Sequence, residues 1–236
     1  MSRYDDYKRE VLTVSRRLSQ QGYFGTKSGT AGNVSMLIEG EEAIAVTPTR
    51  MRYDVMQPED ICVVGFDLKP IEGPNKPSIE TPMHVAAYRV RQDINAVIHT
   101  HQTHASAISI LNRPIPPLFD EVTLAIGEVV DVVPYAPSGT QELHEGVVSK
   151  LTNRCHCYLI QNHGAMCVGR DLETTFTYVE LLEKTAEVYS LALATGQPIT
   201  TLPPAAVRQL VAVVMARQDR EIARKNALTT AEARRA

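Results

Sequence analysis

The run "NAVIHTH", residues 95–101, constrains this chain more than any other stretch: an apolar segment that ends in two histidines, two positions apart. Residues two apart on a strand share a face, so His99 and His101 aim their rings at one point. Two converging imidazoles make half of a metal site, and the remainder must come from another segment. His104 lies an odd number of positions from His101 and falls in the next helical stretch, "HASAISIL", so it faces away. A second apolar run, "CYLIQNH", ends on His163, and Gly164 directly after it permits a sharp turn there. His163 is therefore the expected third ligand. The fold must bring two strand ends together.

The rest of the chain supplies elements for such a sheet. Residues 4–21 carry an amphipathic pattern (Val11, Leu12, Val14, Leu18) that stops at Gly22. "VSMLIEGEEAIAVTP" reads as two strands turning at Gly40, and "ICVVGFDL" as another, followed by a loop "KPIEGPNKPS". Pro82 sits in the first turn of a helix running to about Arg91, with Thr81 as its cap. "EVVDVVPYAP" is a further strand, residues 172–195 form a helix ending at Gly196, and a last helix follows Pro203 and Pro204. This order predicts one mixed α/β domain over residues 1–236 with a central sheet, in which 203–236 form a C-terminal helix and tail.

Composition excludes several classes. Net charge is −3 without long blocks, which gives no footprint for nucleic acid. No apolar run reaches the roughly 20 residues of a membrane span, and the polar opening "MSRYDDYKRE" is no secretory signal. Cys155 and Cys157 flank His156, but strand alternation points both cysteines to one face and the histidine to the other, so buried thiols are expected rather than a metal site. Cys62 and Cys167 complete a set of four reduced cysteines, consistent with a cytoplasmic protein.

A metal held by three histidines keeps positions open for substrate oxygens, the arrangement of catalytic sites. Moving a proton there requires a base. Glu80, just before a helix N-terminus, is the candidate; His84 and His144 fall on helices without partners and are assigned structural roles.

Six segments taken together, "GTAGNVS" (29–35), "TPT" (47–49), "PSIE…MH" (77–84), "DINAVIHTHQTHASAISIL" (93–111), "PYAPSGTQEL" (134–143) and "QNHGAMCVG" (161–169), resemble the class II aldolase/adducin family in content and order. The resemblance implies an α/β/α fold with a largely antiparallel sheet, and a ring-shaped homotetramer with active sites at subunit boundaries. It implies His99, His101 and His163 as ligands of a divalent metal, usually zinc, with manganese or cobalt as alternatives, and Glu80 as acid/base. Thr30, Gly32, Asn33, Thr49 and Ser78 match positions that cradle a substrate phosphate in the phosphate-handling members. Small residues there expose backbone N–H groups and hydroxyls add donors.

Three departures from the fuculose-phosphate type within the family involve four residues. Ile79 replaces a second phosphate-binding Ser, Arg50 replaces a Gly, and Asp120 and Glu121 stand where a proton-donating Tyr is found. Arg50 is suited to clamp a carboxylate or phosphate, and Asp120 or Glu121 to exchange a proton.

The expected activity is a metal-dependent aldolase acting on a small hydroxy-carbonyl compound, sugar-phosphate or sugar-acid-like, through a metal-stabilised enediolate. Sugar-phosphate 4-epimerases, dehydratases and keto-acid phosphate decarboxylases share the same metal site. An adducin-like scaffold is the remaining alternative, and the ligand histidines argue against it.

Overall fold

The computed structural model describes residues 2–26 and 29–233; the last residues of the expected tail, 234–236, lie outside the described residues. An opening helix, α1 (Asp5–Gln20), leads through a loop into β1 (Asn33–Leu37) and β2 (Ala43–Val46). The turn between these strands is made at Gly40, at φ 75°. Strands β3 (Cys62–Gly65) and β4 (Pro70–Glu72) follow, then α2 (Thr81–Val90), β5 (Ala96–Thr100) and α3 (Thr103–Ser109). The second half contains α4 (Asp120–Ile126), β6 (Asp131–Val133), α5 (Gln141–Leu151), β7 (Cys157–Ile160), β8 (Gly164–Gly169), α6 (Leu172–Ala194) and α7 (Pro204–Ala233).

The strands form one eight-stranded sheet in the order β4-β3-β2-β1-β5-β8-β7-β6. Every pairing is antiparallel except β6 with β7, where α5 supplies the crossover a parallel pair requires. The expected central, largely antiparallel sheet is therefore observed. Alternation along the strands divides the apolar side chains between two cores. Ala96, Ile98, Ala165 and Cys167 join residues of α1, α3, α4 and α6 on one face. Val97, Met166, Val168 and Tyr158 meet α2 and α5 on the other. The result is a three-layer α/β/α arrangement, because a sheet apolar on both faces needs helices on both. No described helix is long and apolar enough to cross a membrane.

The structure corrects four local readings. The loop after β3 contributes the short edge strand β4, whose two exposed residues weaken the apolar pattern. Glu80, not Thr81, occupies the cap position of α2; the Thr81 hydroxyl instead donates to the Ser78 carbonyl at 2.7 Å. Cys155 and Cys157 do not share a face, because β7 begins only at Cys157 and strand alternation does not reach back to Cys155. Cys155 belongs to the α2/α5 core and Cys157 to the opposite one, and all four cysteines are buried and free. Finally, the sharp turn expected at Gly164 does not fall there: Gly164 already begins the strand β8.

That last correction reassigns Gly164. The tight turn of the β7–β8 hairpin is made at Asn162, at φ 55°, a residue type that tolerates this region. Gly164 serves close approach: a Cβ there would lie 2.3 Å from the Thr100 carbonyl oxygen. Its missing side chain lets the hairpin end lie directly against the end of β5. Gly164→Ala is expected to destabilise the protein by about 1–3 kcal/mol through overpacking, read from the midpoint of urea unfolding. An unchanged midpoint would show that the approach is not constrained.

Candidate metal centre

Sheet register carries the site residues to one end of the sheet. Asn33, the first residue of β1, pairs with His99 near the end of β5, and Thr100 pairs with Ala165 near the start of β8. Thr47 and Thr49 follow β2 at the same end. Residues 47–49 run alongside 76–78, with Ser78 N–H donating to Thr47 O at 3.1 Å and Thr49 N–H to Lys76 O at 3.0 Å. That strip delivers Glu80 to the sheet end.

Three imidazoles converge there. The ligand atoms of His99, His101 and His163 all lie within 4.8 Å of one another, and the rings stand edge to face with centroids 4.7–5.0 Å apart. His101 lies one residue beyond β5, yet its backbone N–H donates to Tyr23 O at 2.8 Å and holds it in line. His99 donates from Nδ1 to the Ala165 carbonyl at 2.9 Å, which leaves Nε2 as a lone pair. That nitrogen sits 2.9 Å from Nε2 of His101. Two imidazole lone pairs this close repel unless a proton or a cation lies between them.

Glu80 closes the cluster. It is 5% exposed, with Oε2 3.2 Å from His99 Nε2 and Oε1 3.4 Å from His163 Nε2. Oε2 accepts a hydrogen bond from the Asn33 side-chain amide at 2.8 Å, whereas Oε1 is buried without a hydrogen-bond partner. Buried polar atoms are almost always partnered. An orphan carboxylate oxygen beside three convergent imidazole nitrogens is what a divalent cation and its ligands would satisfy. The residues present fit such a group.

His104 is turned away, its backbone N–H donating to Glu183 at 2.9 Å as α3 begins. Of the expected anion cradle, Asn33 and Ser78 are buried; the Ser78 hydroxyl accepts from Glu80 N–H at 3.3 Å, so both touch Glu80 directly. Thr49 is half-buried beside them, and Thr30 and Arg50 are exposed at the same end of the sheet. Gly32 has φ 71°, and a Cβ there would lie 2.2 Å from the Phe24 ring. Only glycine lets this loop pack so closely before β1. Ile79 is exposed.

Asp120 and Glu121 open α4 and are both exposed. Within one chain Glu121 lines a cleft beneath α7 with His156, Tyr178 and Arg217, and no hydrogen bond or ion pair among the described residues joins either acid to the histidines. Sequence reasoning missed two participants. Ser138 Oγ stands 3.4 Å from His163 Nε2. His84, read as structural, reaches Asn33, and the available signal was its position four residues after Glu80, one helical turn along the same face.

Residues 9–190 match the pattern of the class II aldolase and adducin N-terminal domain. The chain belongs to the class II aldolase/adducin family. It is 38% identical over 178 residues to L-fuculose phosphate aldolase of Escherichia coli O6:H1, covering 75% of this chain and 81% of that protein. It is 31% identical over 191 residues to 5-deoxy-D-ribulose 1-phosphate aldolase of Bacillus thuringiensis, covering 81% of this chain and 87% of that one. A solved L-fuculose 1-phosphate aldolase superposes with a TM-score of 0.82 at 30% identity, over 89% of this chain and 96% of that chain. The chain is a metal-dependent enzyme of the class II aldolase type.

The imidazoles also set an acid limit. His84, His99 and His101 are each pushed down to about 3, first by burial and then by neighbouring imidazoles. In the unfolded chain these groups titrate near 6.5. Between that value and about 3 the unfolded chain binds protons that the folded chain does not, so stability rises with pH across this window and is lost on acidification. Melting temperatures of chelator-treated protein are expected to fall steadily as pH drops from about 6.5 to about 4. A flat profile would contradict neutral burial of the cluster.

Proposed function

We propose that this enzyme is a zinc-dependent aldolase that cleaves and forms a small ketose phosphate or a carboxylate-bearing analogue. The observation that carries the reading is Glu80, with Oε2 tied to Asn33 and 3.2 Å from His99 Nε2, and Oε1 buried without a hydrogen-bond partner 3.4 Å from His163 Nε2. The two relatives named above act on ketose 1-phosphates, which supports the same substrate class here.

His99, His101 and His163 would hold the divalent ion, with the Ala165 carbonyl fixing the tautomer of His99. When bound, that ion supplies a Lewis acid that draws electron density from the substrate's carbonyl and adjacent hydroxyl oxygens. In the addition direction Glu80 takes the proton from the carbon next to the carbonyl, and that carbon then bonds to the aldehyde. In cleavage the bond between this carbon and the neighbouring carbinol carbon breaks, and Glu80 returns the proton. The loops bearing Thr30, Gly32, Asn33, Thr49 and Ser78 hold the anionic end of the substrate, and Arg50 adds a planar clamp absent from the fuculose-phosphate type.

Asp120 and Glu121 fit a different place in this scheme. Exposed on α4 and remote from their own chain's histidines in the contacts they make, they would serve the site of a neighbouring copy in a homotetramer, exchanging the carbinol hydroxyl proton. Four buried free cysteines support a cytoplasmic location.

Metal-reconstituted protein is expected to cleave ketose 1-phosphates, with dihydroxyacetone phosphate detected as a product. Glu80→Gln should lower kcat about 10²–10⁴-fold, the range for loss of an acid/base group, while bound metal stays stoichiometric. Conversion of a pentulose phosphate to its epimer without any aldol product would assign a 4-epimerase instead. Asp120→Ala or Glu121→Ala should lower kcat without changing metal content, and light scattering should report four copies. A fully active monomer would remove these acids from the scheme.

A further inference from the structure

Behind Glu80 a line of buried polar groups runs through the α2 face of the sheet. Asn33 Nδ2 donates to Glu80 Oε2 at 2.8 Å, and Asn33 Oδ1 meets His84 Nε2. His84 Nδ1 meets Ser35 Oγ at 2.7 Å. Ser35 Oγ lies 2.8 Å from the Tyr88 hydroxyl, which also donates to the Ser35 carbonyl at 3.0 Å. All five residues are buried, so the links are shielded from bulk water.

The proton positions follow from donor counting. Burial pushes His84 down to about 3, so its ring is neutral, with one donor and one acceptor nitrogen. The carboxylate accepts only, so Asn33 must turn its NH2 toward Glu80 and its carbonyl toward His84. His84 therefore carries its hydrogen on Nε2 and accepts at Nδ1 from the Ser35 hydroxyl. Ser35 Oγ in turn accepts from Tyr88, whose single hydroxyl hydrogen is shared with the Ser35 carbonyl in a three-centre bond. Every link points the same way, and the chain ends on the carboxylate.

We propose that His84 is a positioning residue for proton transfer: its Nε2–H fixes the orientation of the Asn33 amide, and that amide anchors Oε2 of Glu80 and leaves Oε1 for the reacting proton. This rests on the reading of Glu80 as the acid/base group. Without His84, the Asn33 amide is free to flip and present its oxygen to the carboxylate, and two acceptors then repel. A core histidine that only satisfied its own burial would not need partners arranged in one direction towards the site. Glu80 and His84 lie one turn apart on α2 and are joined through a residue of β1, so the link also sets the helix end against the strand.

The test uses the full chain in two ways. In chelator-treated wild-type protein, long-range proton–nitrogen NMR should show His84 with its proton on Nε2, and the Asn33 side-chain amide should exchange slowly. In His84→Leu that amide protection should fall at least about 10-fold as local opening becomes easier. In the metal-loaded enzyme, His84→Leu should lower kcat about 100-fold with KM within about twofold and metal content unchanged, as expected for a misplaced reacting group. His84→Gln, whose amide N–H reaches the Nε2 position, should recover most of that loss. An Nδ1–H tautomer, undiminished Asn33 protection or kcat in His84→Leu, or a Gln variant as slow as the Leu variant would each overturn the proposal. If His84→Leu fails to fold, the wild-type tautomer and the Gln variant still decide it. If the wild-type enzyme turns over no ketose phosphate, the function above fails, while the two NMR readouts still judge the positioning role.

Discussion

The antiparallel pairing of β5 between β1 and β8 is the interaction on which the rest of the site depends. Its register sets Asn33 opposite His99 and Ala165 opposite Thr100. A slip of one residue would turn His99 towards the opposite core and bury Ile98 or Thr100 against α2, since side chains alternate with period two. Both faces of this part of the sheet are apolar and covered by helices. The packing of Val97, Ile98, Met166 and Cys167 therefore enforces the register that aligns the site. The stability of the core and the geometry of the chemistry have the same cause.

The site itself combines elements with different tolerances. The imidazoles of His99 and His101 stand at the end of a central strand, where the backbone is held on both sides. His163 reaches them from a hairpin, and the glycine after it permits the approach to Thr100. Glu80 is placed from a third direction by the strip 76–78 lying along 47–49. Rigid placement from three directions is what proton transfer next to a metal requires, because small displacements of a reacting group are costly. The exposed residues Thr30, Arg50 and Ile79 lie around this core, and on the proposed reading they are where specificity for the anionic end would be set.

Burial of several neutral histidines is unusual in energetic terms, because their polar nitrogens need partners. His99 is satisfied by a carbonyl, His84 by a serine and an asparagine, and His156 by the Val168 carbonyl and Gln218. Among the described residues, five buried side-chain atoms lack a hydrogen-bond partner. Two of them, Glu80 Oε1 and His163 Nδ1, lie at the site; the others are Thr123 Oγ1, His144 Nε2 and Gln218 Oε1. The fold thus supplies His84, His99 and His156 each with at least one fixed partner. It leaves a carboxylate oxygen open where a substrate proton or a cation would meet it.

The sequence by itself determined the strand character of residues 96–100, the shared aim of His99 and His101, and the outward turn of His104. These depend only on the period-two alternation of a strand and on where it ends. It also pointed to His163 and Glu80 through motif order, and to an α/β sheet through element order. Three other matters were decided by tertiary structure. Gly164 is required for contact with Thr100, some sixty residues earlier in the chain, and local pattern cannot show that. Cys155 and Cys157 lie on opposite sides because the strand starts two residues too late for alternation to apply. His84 became part of the site only when β1 was laid beside β5 and Asn33 came between it and Glu80. Hydrogen-bond partners distant in sequence are fixed by strand register, and register is settled by the packing of the whole sheet.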